Sequence, residues 1–214
     1  NGNGINVFRA GGVIVSDNRI DSCAFTAVRL NATNDTQVRG NTCTNSGEVA
    51  IFSEFGFSGS VIAGNIVDGA AGGISMTNFD HQGRLAVCTG NIVRNIAPRS
   101  LVNPDTTPFG IAAEADAAVT GNTVEGVPGV GIAVGWGPYL RDVAVTGNVV
   151  RDTDVGIGVS VAEGAGSALV ASNLVSGARR AGIAAMAWSE VRSPDLVRDA
   201  SHFPNVTLSG NRVS

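Results

Sequence analysis

Val119-Thr120-Gly121-Asn122-Thr123-Val124 is followed, 26 residues later, by Val145-Thr146-Gly147-Asn148-Val149-Val150. The shared phrase is apolar-x-Gly-Asn-x-apolar. It also reads Val38-Arg39-Gly40-Asn41-Thr42-Cys43 and Ile62-Ala63-Gly64-Asn65-Ile66-Val67, with variants at Asn18, Asn91, Asn173 and Asn211. Successive Asn residues in these eight copies are 23, 24, 26, 31, 26, 25 and 38 positions apart. A fixed phrase at such spacing is the mark of a solenoid, in which each coil buries its apolar face only against its neighbours.

A second phrase, Gly-Ile-x-apolar, alternates with the first. It begins at Gly4, Gly73, Gly110, Gly131, Gly156 and Gly182, with looser copies at Ala27 and Ala50. Each coil therefore holds three short strands: the Gly-Ile strand, an alternating strand such as Val143-Ala144-Val145, and a short strand after the Gly-Asn corner. Period-2 alternation turns one face of every strand inward. Like residues of successive coils then stack at roughly 4.8 Å, so eight coils make a rod of roughly 40 Å. Gly and Asn both tolerate the left-handed backbone of a sharp corner, and stacked Asn amides can bond one another along the rod. Asp17 and Ser172 replace the corner Gly in two copies. Both are turn formers, so the corner is expected to survive. The expected fold is all-β, a parallel β-helix of about eight three-stranded coils with an Asn ladder. Residues 1–214 form one domain, read as a mature or excised part of a longer chain.

Composition agrees. Hydrophobic residues make up 43%, which supplies a continuous core, and Gly is abundant at 29 residues. The basic side is carried by 14 Arg with no Lys, the formal net charge is −4, and the signs are scattered. Nucleic acid is therefore excluded as an expected partner. No apolar run reaches the ~18 residues of a membrane helix. Cys43 and Cys88 fall in core slots on different sheets, two coils apart, so a bridge between them is not expected. No Cys/His spacing suits zinc and no Lys-bearing Gly loop suits a nucleotide phosphate. No metal and no cofactor are expected.

On these repeats the chain resembles the right-handed parallel β-helix superfamily with the pectate-lyase-like fold. The resemblance runs from Gly4 to Val213. It rests on coil length, the Asn corner and the order of the three strands. The spelling of the repeats looks closest to bacterial twin-arginine-exported repeat proteins of unknown activity, which implies a secreted or periplasmic protein. Enzymes of this fold usually act on acidic polysaccharides along the sheet equivalent to the Gly-Ile strands. The Asn-Thr-Asp, Asp-Asp, Gly-His-Gly and Arg-Ile-Lys phrases of the glycosidase members do not occur here.

Functional groups on the Gly-Ile sheet can still be placed. The outward residues after each Ile run Asn6, Arg29, Phe52, Ser75, Ala112, Ala133, Gly158, Ala184, and two residues further on Phe8, Asn31, Glu54, Thr77, Glu114, Gly135, Ser160, Met186. The chemistry lies in the first half of both rows, so coils two to five are expected to hold any site. Glu54 and Glu114 share a column two coils apart, roughly 9.6 Å along the rod, near the upper end of carboxylate separations in inverting glycosidases. Asp80 and His81 leave the intervening coil, and Arg84 is placed to bind a substrate carboxylate. The aromatics Trp136, Tyr139 and Trp188 suit the apolar faces of sugar rings. The competing reading is solubility charge and rings that seal the loops onto the rod. Two long insertions, 94–109 and 187–204, flank the same sheet and read either as functional loops or as a cover. A short helical turn is expected at Ser193–Asp199.

The reading is an exported β-helix that binds a polysaccharide, with cleavage as a lyase or glycoside hydrolase left open. Its alternative is a structural or adhesive solenoid without chemistry. Both termini lack an evident cap, which favours end-to-end contacts with flanking coils or another copy.

Overall fold

The computed structural model of the chain describes residues 2–77 and 83–214. Three stacks of eight parallel strands wind around one core. The first stack carries the Gly-Ile strands, from Ile5–Phe8 through Val49–Glu54 and Phe109–Ala113 to Ala181–Ala187. Its register follows the sequence repeat: Ile5, Val28, Ile51, Ile74, Ile111, Ile132, Ile157 and Ile183 are successive partners. The second stack runs from Ile14–Ser16 to Val206–Ser209 and the third from Arg19–Asp21 to Arg212–Val213. In two coils the third-stack strand runs directly into the next first-stack strand, as Thr123–Val134 and Val149–Ser160. No α-helix occurs among the described residues.

The core is a set of columns. Ile51, Ile74, Ile111, Ile132 and Ile157 are each fully buried, as are Val38, Ile62, Cys88, Val119, Val145 and Val170 of the second stack. Cys43 and Cys88 occupy core slots in different stacks and all three cysteines are free thiols. Burial pushes the Cys43 and Cys88 thiols up to about 12. Neither is a thiolate at neutral pH, so neither serves as a nucleophile.

The corner works as the phrase predicts. Gly40, Gly64, Gly90, Gly121, Gly147 and Gly210 take positive φ, and Asp17 and Ser172 take φ of 59° and 57° at the same place. Each corner Asn from Asn41 to Asn211 accepts, through Oδ1, bonds from the backbone N–H and the Nδ2 of the Asn one coil back, at 2.9–3.0 Å. Its own Nδ2 donates to a carbonyl of the preceding coil, such as Val38 O for Asn65 at 3.0 Å. The ladder replaces the strand hydrogen bonds that a sharp corner cannot make.

The glycine that opens each Gly-Ile strand has a different reason. A Cβ on Gly73 would collide with the Gly110 carbonyl oxygen of the next coil and lie 2.6 Å from Val93 Cγ1. We expect Gly73→Ala to cost about 1–3 kcal/mol, the range for overpacking, read as a lowered thermal midpoint. An unchanged midpoint would show that the coils separate freely here.

At the C-terminal end the second insertion covers the last first-stack strand, while Val206–Ser209 and Arg212–Val213 are the last strands of the other two stacks. Residues 187–204 turn back as a hairpin. Glu190–Ser193 pairs antiparallel with Ala181–Ala187 on the free edge of the last first-stack strand. The Leu196 N–H donates to Ile183 O at 2.9 Å and its side chain is fully buried in the core. The insertion thus satisfies a sheet edge that would otherwise recruit another strand. The helical turn expected at Ser193–Asp199 is a single one, with Asp199 N–H donating to Asp195 O, and it passes into a 3-10 turn at Ala200–His202.

Candidate functional site

The outer face of the first stack forms the floor of a cleft of about 390 Å³. That volume lies within the size range of small-molecule sites. Phe52, Ser75, Ala112, Ala133 and Gly158, from five successive coils, make the floor. The small residues are the reason for the depression: where the outward side chains shrink to Ala and Gly, the loops on both sides stand above the sheet. The floor therefore spans coils three to seven and overlaps coils two to five, where the functional groups of the sheet lie.

One wall is the 94–109 insertion. Ile96 is buried in the core and Ser100 Oγ donates to Gly47 O at 2.7 Å, which fastens the loop two coils back. The same hydroxyl accepts the Asn103 N–H at 3.0 Å, and residues Asn103 to Phe109 then face the cleft, Pro104 excepted.

The other wall is aromatic. Trp136 and Trp188 meet edge to face at 5.5 Å, and Tyr139 meets Trp188 at 6.4 Å. Both Trp line the cleft, whereas Tyr139 backs Trp188 from outside it. Ser160 Oγ donates to Gly137 O at 2.8 Å, holding the Trp136 loop. Gly137 is obligatory, since a Cβ there would stand 2.6 Å from Trp188 Cζ2. Trp188 itself opens a two-residue hairpin turn with φ of 57°, a conformation that favours glycine, and is 46% exposed. Backbone strain under a large exposed ring is the kind of local cost that clusters at ligand sites.

The carboxylates are arranged unequally. Glu54 and Glu114 share one column with Thr77 between them, as the register of their neighbours Ser53, Met76 and Ala113 requires. Both are almost wholly buried, at 2% and 1% exposure. They differ in what they face. Glu54 is gripped by Arg29, with Nε at 2.6 Å from Oε1 and Nη2 at 3.0 Å from Oε2, and accepts Asn31 Nδ2 at 2.9 Å. It does not line the cleft. Glu114 does, together with Glu48 and Asp105. Glu48 also pairs with Arg29 at 3.2 Å, so one guanidinium serves two carboxylates. Its Cζ lies 5.4 Å from the Phe52 ring centroid, at the N-terminal end of the floor. Glu54 and Glu48 hold Arg29 above the usual guanidinium range.

Arg84 is exposed at the start of Arg84–Thr89 in the second stack and does not line the cleft. Its charge and that of Arg141 instead help hold the Asp116 carboxyl below the usual range, the Arg141 hydrogen bond contributing most. Asp80 and His81 lie outside the described residues. Sequence reasoning passed over Glu48, Asp105 and Phe109. Glu48 and Phe109 flank Gly-Ile strands and Asp105 lies in the flagged insertion, so position beside the sheet was the available signal. No group of three or more potential metal ligands occurs among the described residues.

Residues 1–141 match the family model described as the right handed beta helix region. The chain belongs to the right-handed β-helix family. The match covers well over half of the chain and gives the solenoid its right hand. No curated protein shows significant similarity to this β-helix chain. No helix among the described residues is long and apolar enough to cross a membrane.

Proposed function

We propose that this β-helix protein binds a glycan in the cleft on its first sheet. The observation that carries the reading is Trp188, a large exposed ring in a turn that favours glycine, set against Trp136 over a floor of small residues. Sugar rings present C–H faces that pack on such planes, and Ser75, Thr77 and Glu114 supply polar partners beside them. An elongated cleft of five coils, roughly 19 Å along the rod, suits a chain of sugars. Cleavage by a Glu54–Glu114 pair is not part of the proposal, because Arg29 and Asn31 occupy Glu54. An exported setting is part of it, supported by the likeness of the repeats to exported repeat proteins. The rigid rod is the scaffold that holds both walls in place.

The test is Trp188→Gly. Glycine relieves the turn, so the thermal midpoint should hold or rise. Glycan affinity, read by quenching of Trp136 fluorescence or by calorimetry across an oligosaccharide panel, should fall about tenfold or more. A panel that binds the variant as tightly as the parent protein would remove Trp188 from the site.

A further inference from the structure

We infer that the cleft selects glycans carrying free ammonium groups over glycans carrying carboxylates. The inference rests on the glycan reading of the same cleft and names the charge of its ligand. Three carboxylates line the cleft, Glu48, Asp105 and Glu114, and no Arg lines it among the described residues. The one guanidinium at its N-terminal end, Arg29, is consumed by Glu54 and Glu48 and lies against Phe52. Among the described residues, the carboxylates lining the cleft outnumber the one guanidinium beside it, which is itself held by acids. The Glu48 side chain is only 13% exposed, so its charge acts in a medium where it is weakly screened.

A polyuronate would bring further carboxylates against this set with no guanidinium available to fork onto them. An amine-bearing sugar meets the opposite field. Its ammonium donates three hydrogen bonds to carboxylate oxygens. The faces of Trp136 and Trp188 attract cations through the ring quadrupole. The same rings take the C–H face of the sugar, so one wall serves both parts of the ligand. The Ala112, Ala133 and Gly158 floor carries no group that would oppose either.

The experiment compares three tetramers on the full chain: glucosamine, its fully N-acetylated form, and galacturonate. Mildly acidic buffer keeps the amines charged, and titration calorimetry reads affinity at low and at moderate salt. The glucosamine tetramer should bind about tenfold or more tighter than either of the others, and added salt should narrow that margin. Asp105→Asn, at an exposed loop position, and Glu48→Gln should each reduce the margin severalfold, read as the ratio of the glucosamine and acetylated affinities within the same variant. Equal or tighter binding of the acetylated tetramer keeps the glycan reading and overturns the charge assignment. Preference for galacturonate overturns it as well. Silence of all three tetramers overturns both.

Discussion

Asn122→Leu should destabilise the protein by about 3–5 kcal/mol, a large fraction of the ~5–15 kcal/mol that holds a domain folded. Asn122 lies mid-ladder and is 1% exposed. Its Oδ1 accepts from the backbone N–H and Nδ2 of Asn91 at 3.0 and 2.9 Å. Its Nδ2 donates to Cys88 O at 3.0 Å, Thr120 O at 3.2 Å and Asn148 Oδ1 at 3.0 Å. Leucine is close in size but returns none of these. Water cannot reach the corner, so the Asn91 N–H is left without a partner, its Nδ2 keeps only Ile62 O and Cys88 Sγ, and each lost buried bond costs about 1–3 kcal/mol. The terminal rung is the internal control. Asn211 makes the same kind of bonds to Asn173 and Val170 but is only half-buried. There water replaces the lost partner, and Asn211→Leu should cost about 1 kcal/mol. Urea unfolding followed by circular dichroism measures both. Equal losses at the two positions would mean that the ladder acts through corner geometry and not through buried hydrogen bonds.

Arg29→Met should cost about 3–5 kcal/mol, because it strands two carboxylates rather than removing one favourable contact. Glu54 has a side chain only 3% exposed and receives both arms of the guanidinium, while Glu48 receives a third bond. Methionine keeps an unbranched side chain at this position while removing the guanidinium, its ion pairs and its contact with the Phe52 ring. The partner change, Glu54→Gln, retains the shape and the bond from Asn31 and should cost less. The double variant should recover part of the Arg29→Met loss, since the uncompensated charge is gone. A strictly additive cycle would show that Arg29 and Glu54 do not stabilise each other. The pair also bears on function. An Arg held by two acids at the N-terminal end of the cleft is unavailable to an anionic ligand, and a Glu held by that Arg is unavailable for proton transfer.

Much of the site was visible as position and little of it as role. The column containing Glu54, Thr77 and Glu114 followed from coil alignment alone, because register in a solenoid repeats with the sequence. The aromatic residues of the two loop stacks were visible as types. Their fates were not: Phe57 is buried in the core at 1% exposure, Trp188 lines the cleft, and Tyr139 supports it from behind. Loop conformation decides such outcomes, and the loops carry no repeat. The small residues of the later coils read as inert in sequence. They form the floor, because a cavity is made by what is missing above a surface as much as by what stands beside it.

The sequence by itself determined the three strands per coil, the inward columns, the corner glycines and the amide ladder. Each of these recurs at coil spacing, and parallel stacking converts recurrence directly into contact. Only the tertiary structure decided that residues 187–204 cover the last first-stack strand with an antiparallel strand and Leu196. It also decided that Arg29 takes Glu54 out of the cleft and that the two Trp face each other across different loops. These depend on side chains and insertions that occur once. A unique segment has no neighbouring copy to fix its register, so its place follows from the packing of the whole and from no local pattern.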